Sequence, residues 1–203
     1  MKKVVFATIA MQMKKFEPKH YVCTENPAIE YDGVVRYPIN GVLAKTLKKD
    51  DDVKVVRIIT ECEQASVNAD FQKNELDAIN TRIGAKIEYV DVTAPFKETS
   101  DIVESRFKQI IHTFEEGCTI LADMTYGPKT LTPVIFFALG FAEKFFDAEI
   151  SHIVYGKTSF DSAKTPDELY DVTPLFYLNS LTSVMNAPDG KTALERLDKF
   201  FAL

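Results

Sequence analysis

The sequence predicts an α/β fold, Rossmann-like, with a mainly parallel central sheet and helices on both faces. Three observations carry that prediction. Five short runs rich in β-branched residues recur along the chain, most of them apolar almost without interruption, as strands covered on both faces should be. Stretches with apolar residues at helical spacing lie between them. Strand and helix alternate, the pattern of βαβ units wound on a parallel sheet. The 203 residues, 46% of them hydrophobic, suffice for one large domain with a proper core. The expectation is a single domain over 1–203, with a core over 1–156 and a C-terminal helical segment over 157–203 packed on it.

The first strand is Val4-Val5-Phe6. The start "MKKVVFATIAMQMKK" has the lysines and short apolar run that open a signal peptide. Gln12, Lys14 and Lys15 break that run and no small-residue cleavage site follows, so it reads as a strand. Segment 12–37 is polar, with Pro18, Pro27 and Gly33, and reads as a loop plus a hairpin. After Pro38, the residues Ile39, Val42, Leu43 and Leu47 fall at helix spacing. The second strand is "VKVVRIIT" at 53–60. Residues 66–83 carry Leu76, Ile79 and Ile83 on a helix that Gly84 caps. The third strand is "KIEYVDV" at 86–92. Residues 100–115 carry Val103, Phe107, Ile110, Ile111 and Phe114, an apolar helical stripe. The fourth strand is "CTILAD" at 118–123. The helix over 133–146 is apolar on nearly every side and is expected to be the most buried, with Thr132 as N-cap and Pro133 at its first position. The fifth strand is "EISHIVYG" at 149–156, and "LYDVTPLFYLNSLTSVMN" and "GKTALERLDKFF" read as two further helices.

Charge and hydropathy exclude some functions. The net charge is −6 and no Lys/Arg-rich block exists beyond paired lysines, so no duplex nucleic acid partner is expected. A small anionic ligand needs only a local cluster of donors and stays open. No apolar run approaches the roughly 18 residues of a membrane span, so no membrane partner is expected. Cys23, Cys62 and Cys118 stand far apart without a pairing pattern, which reads as reduced thiols in a cytoplasmic protein.

In a doubly wound sheet the first and fourth strands lie side by side, and the crevice beyond their carboxyl ends is the ligand site. The loops leaving those strands here are "TIAMQMK" and "MTYGPKT". Gly127 lets the backbone approach a ligand, Lys129 supplies a charge for phosphate, and Thr125, Tyr126 and Thr130 offer hydroxyls. Spacing alone leaves equally open that Gly127-Pro128 is only a tight turn beside a solvated lysine. There is no G-x-G-x-x-G after the first strand, no Walker loop and no G-x-S-x-G elbow, so neither a dinucleotide cofactor nor nucleotide hydrolysis of those kinds is expected. Asp123 reads as a cap on the strand end rather than a phosphotransferase aspartate. His20, His112 and His152 have no metal-like spacing with one another or with the cysteines, and no metal or other cofactor is expected. Arg106 and His112 superficially match a helical ribonuclease pair, but they lie in a helix needed to cover the sheet.

The order "VRYPINGVLAKTL", "RIITEC", "DMTYGPKT", "IVYGK" and "LYDVTPLFYL" resembles the CARF domain, the CRISPR-associated Rossmann fold, over nearly the whole chain. It is similar to the branch whose fourth strand ends in an Asp-x-Thr-His-Gly-like loop. Tyr126 stands where that branch usually has His, and Pro128 and Lys129 occupy places often held by an aromatic or aliphatic residue and an Arg.

The resemblance implies a sensor that binds cyclic oligoadenylate, tetra- or hexa-adenylate, across a homodimer in type III CRISPR antiviral defence. It implies ligand contacts from Thr8, Ala10, Met11 and Gln12, from Met124, Thr125, Tyr126, Gly127, Pro128, Lys129 and Thr130, from Thr60 and Glu61, and from Gly156 and Lys157. Family members normally carry an effector, and none is recognisable up to Leu203. Three explanations stay open: a stand-alone sensor, the sensor part of a longer chain, and a metal-independent ring nuclease. In the last, the ribose 2′-hydroxyl attacks the neighbouring phosphate, Lys129 stabilises the charge and Thr8 orients the sugar. A reading from another class is an unrelated small-molecule enzyme on a Rossmann-like sheet.

Overall fold

The computed structural model describes residues 1–11, 17–159 and 165–202. They form two compact units, Met1–Thr173 and Pro174–Leu203. The first unit contains a seven-stranded sheet in the order β2-β7-β6-β5-β1-β3-β4. Strands β1 (Lys2–Thr8), β3 (Asp52–Glu61), β4 (Lys86–Pro95), β5 (Thr119–Asp123) and β6 (Glu149–Lys157) are the five expected from the sequence, all parallel. The α/β, Rossmann-like class and the adjacency of the first and fourth predicted strands are both observed.

Helices α1 (Pro38–Thr46) and α2 (Ala65–Ile83) cover one face, and α3 (Ser100–Ile111) and α4 (Leu131–Phe145) the other. Period-two geometry divides each strand between the two faces. Val5, Ala7, Ile9, Val53 and Val55 join Ile39, Val42, Leu43 and Leu76 in one core. Phe6 meets Phe114 edge-on at 5.7 Å on the other face, and Phe114 packs on Phe146 at 5.6 Å. Gly84 ends α2 in the left-handed region at φ 80°, as its position predicts.

Four sequence expectations need correction. α3 stops at Ile111 rather than continuing to 115, because the Thr113 N–H and hydroxyl both turn back to the Ile110 carbonyl at 3.0 and 2.7 Å. α4 starts at Leu131 with Thr130 at the N-cap, two residues before the predicted start; Pro133 sits within the first turn, where a missing N–H costs nothing. α4 also buries one stripe only, leaving Phe137 66% and Phe145 57% exposed. Leu169-Tyr170-Asp171, expected to begin a helix, belong instead to strand β7 (Asp167–Asp171), antiparallel to β6. There Tyr170 stacks on Tyr155 and Glu168 pairs with Lys157, and such cross-strand pairs stabilise a sheet.

Among the described residues of 12–37, the expected hairpin reduces to a single antiparallel bridge, Lys19 to Val35. Strand β2 (Tyr21–Val22) instead pairs in parallel with β7. The second unit carries the rest of α5 (Thr173–Val184) and α6 (Gly190–Phe201). Asp189 caps α6 by accepting from the Thr192 N–H at 2.8 Å. Among the described residues of this unit only Phe176 is buried. No helix among the described residues is long and apolar enough to cross a membrane.

Candidate functional site

The chain winds outward from β1 through β3 to β4, then returns to β5 on the other side of β1. The switch point therefore lies between the carboxyl ends of β1 and β5, where an open parallel sheet forms its crevice. Hydrogen bonds fix the loops at this point. The Tyr126 N–H donates to Thr8 Oγ1 at 3.1 Å, tying the β5 loop to the end of β1. The Thr125 hydroxyl donates to Asp123 Oδ1 and accepts from the Gly156 N–H at 2.9 Å, tying the same loop to β6. The Tyr126 hydroxyl donates to the Arg36 carbonyl at 3.0 Å, and its ring packs edge-on against Tyr37 at 5.5 Å. The end of β1 is held from α2, where Asn68 Nδ2 donates to the Ala10 carbonyl at 2.6 Å. Glycine is required at 156, since a Cβ there would stand 2.4 Å from Pro38 Cγ.

These bonds sort the predicted residues by depth. Thr8, Ala10, Thr60, Met124, Pro128 and Gly156 are buried and form the frame beneath the rim. Met11, Thr125, Tyr126 and Thr130 are half-buried, while Glu61, Gly127, Lys129 and Lys157 are exposed. Gln12 lies outside the described residues. Gly127 adopts φ 95°, which turns the chain into α4. Lys129 follows it, with no ion pair or hydrogen bond among the described residues. Lys157 is committed to Glu168 at 2.9 Å. Glu61 does not join the β1–β5 loops; it lines a groove of about 360 Å³ with Arg57, Cys62 and Asp91, beside α2.

Electrostatics at the frame is set by burial. Asp123 is fully buried, and the loss of water raises its carboxyl from 3.8 to about 7 against the two hydrogen bonds from Thr125. The N–H of Thr125 reaches Oδ1 at 2.8 Å, whereas Oδ2 has no partner among the described residues. This is the strand-end cap expected for Asp123. Burial also pushes the Tyr21 phenol to about 12 and those of Tyr37 and Tyr126 higher still, so all three stay neutral donors. Thr130 Oγ1 is buried at the start of α4 without a partner among the described residues. Among the described residues no group of three His, Cys, Asp or Glu converges as metal ligands would.

The sequence reading missed two features of this edge. One is the cluster of Tyr21, Tyr37 and Tyr126, brought together from segments that no local pattern links. The other is the burial of Arg106, named in the sequence only as half of a dismissed ribonuclease pair: it lies on the inner face of α3 and is 1% exposed. Its signal was an Arg three residues after Val103 and four before Ile110, on an otherwise apolar stripe. No protein-family model and no curated protein matches the sequence, so the reading of the site stands on its own residues.

Proposed function

We propose that the chain is a cyclic oligoadenylate sensor of the CARF kind, binding its ligand across a homodimer in type III CRISPR defence. The observation that carries the reading is the state of Lys129. It is exposed and, among the described residues, without an ion pair on the turn that opens α4, at the switch point of the sheet. A cation left uncommitted at a helix start beside a glycine turn suits a phosphate of the ligand. The stitched frame of Thr8, Thr125, Tyr126 and Gly156 supports it by holding the rim in one geometry, so little ordering is left for the binding step. Binding is favoured over ring opening. Thr8, the residue that would orient the sugar, is wholly buried, and its Oγ1 already accepts the Tyr126 N–H.

Calorimetry with cyclic tetra- and hexa-adenylate in EDTA, followed by chromatography of the ligand, tests this reading. The expected result is saturable binding of one ring and intact ligand after hours. Binding of neither ring overturns the reading, and linear product ending in a 2′,3′-cyclic phosphate replaces the sensor with a ring nuclease.

A further inference from the structure

Arg106 is almost wholly buried, yet most of its donors are unused. Its Nη2 donates to Thr60 Oγ1 at 3.2 Å and to the Pro95 carbonyl at 3.1 Å. Those acceptors stand at the carboxyl ends of β3 and β4, where Thr60 faces Ala94 and Glu61 faces Pro95. Nε and Nη1 are buried as well and find no acceptor among the described residues. Arg106 makes no ion pair among the described residues, and Glu98, in the exposed loop between β4 and α3, acts on it only through space.

A guanidinium has five N–H donors and stays charged in a protein. Burying such a cation unpaired is costly, and so is each donor left unmet. The contacts to Thr60 and Pro95 do not require this charge, because any neutral donor of the same reach would make them. A charge held at such cost, at the edge of the sheet where ligands bind, has the character of a group kept for an anion. Thr60, which accepts from Arg106, retains its own hydroxyl proton to donate to the same anion.

We propose that Arg106 is an anion anchor: its guanidinium, with Thr60 beside it, takes a phosphate-class group at the carboxyl ends of β3 and β4. The proposal rests on reading this edge as a ligand site, and it gives that site a cationic contact beyond Lys129. The loop of residues 96–99, which follows Pro95 at this edge, is exposed throughout.

Thermal melts of the wild-type chain and of R106M test it. Each is run in chloride, inorganic phosphate, cyclic tetra-adenylate and cyclic hexa-adenylate at matched ionic strength. The expected result is that R106M melts no lower than wild type in chloride, since the substitution removes an uncompensated buried charge. Its apparent affinity for the phosphate-class ligand falls roughly 10- to 100-fold. Should R106M not fold, R106K carries the same comparison, because it keeps the charge and loses the planar fork. An anion response unchanged by substitution overturns the anchor, and so does a wild-type chain that responds to no phosphate-class anion. A wild type stabilised by inorganic phosphate through Arg106 but by neither ring upholds the anchor and overturns the sensor reading. Rings that stabilise wild type and variant alike do the reverse.

Discussion

Two aspartates in this chain occupy the same local turn, and their carboxyls are shifted in opposite directions. Asp123 accepts from the N–H and hydroxyl of Thr125, two residues on, and Asp171 accepts in the same way from Thr173. Burial acts to raise both carboxyls. At Asp171 it is overcome by His152 Nδ1 at 2.8 Å, by Thr173 and by Asn26, which hold that group at about 2. At Asp123 no cation or further donor arrives from the described residues, and the group rises to about 7. The consequence for stability is opposite in sign. Asp171 stabilises the fold above the ordinary carboxylate range, and that contribution is lost as pH falls through about 2. Asp123 is protonated in the fold at pH 5 but ionised in the unfolded chain. The fold therefore loses stability as pH rises from about 4 to about 7, and the loss is complete above that. A shift from 3.8 to about 7 is worth on the order of 4 kcal/mol. Denaturant melts of D123N and wild type across pH 4.5–8 should show the wild type falling relative to the variant by a sizeable part of that figure. Parallel curves would mean that Asp123 is ionised throughout. The sequence showed the Asp-x-Thr spacing twice, and it showed the cap. It could not show that only one of the two aspartates would meet a histidine, because that partner comes from the neighbouring strand.

At the scale of elements, both Asp-x-Thr turns brace the same strand. Thr125 Oγ1 takes the N–H of Gly156 from the β5 side, and Thr173 Oγ1 takes that of Ile153 at 2.8 Å from the β7 side. β6 is thereby pinned near its carboxyl end, next to the loop that presents Lys129. That loop and the start of α4 are where the sensor reading is most exposed to test at a single position. K129A should weaken binding of the adenylate ring roughly 10- to 100-fold by calorimetry, since it removes a charged donor from a phosphate. Unchanged affinity would clear Lys129 of the role. The helix limits that the sequence missed have local causes. Thr113 ends α3 early through the Ile110 carbonyl, and α4 gains its first residues because Leu131 turns back on the Pro128 carbonyl at 3.0 Å. β7 was misread because its apolar and polar residues over five positions suit a helix as well as an edge strand. Pairing with β6, which lies distant in sequence, decided it.

For the molecule as a whole, the sheet was legible because its five parallel strands are nearly continuous apolar runs, and their order follows from alternation with helices. The crevice was legible for the same reason, since its place depends on topology alone. Legibility ended at depth. Nothing in "TIAM" says that Thr8 is sealed while Met11 is partly open, and nothing in "SRFKQ" says that Arg106 turns inward with unmet donors. Those facts depend on neighbours supplied by other strands. The central claim is that this carboxyl edge, doubled in a homodimer, holds one cyclic oligoadenylate. Native mass spectrometry of the chain mixed with rings of several sizes tests it most directly. The expected spectrum shows two chains carrying a single ring of one size, while a monomer that retains no ring at any size would contradict the account.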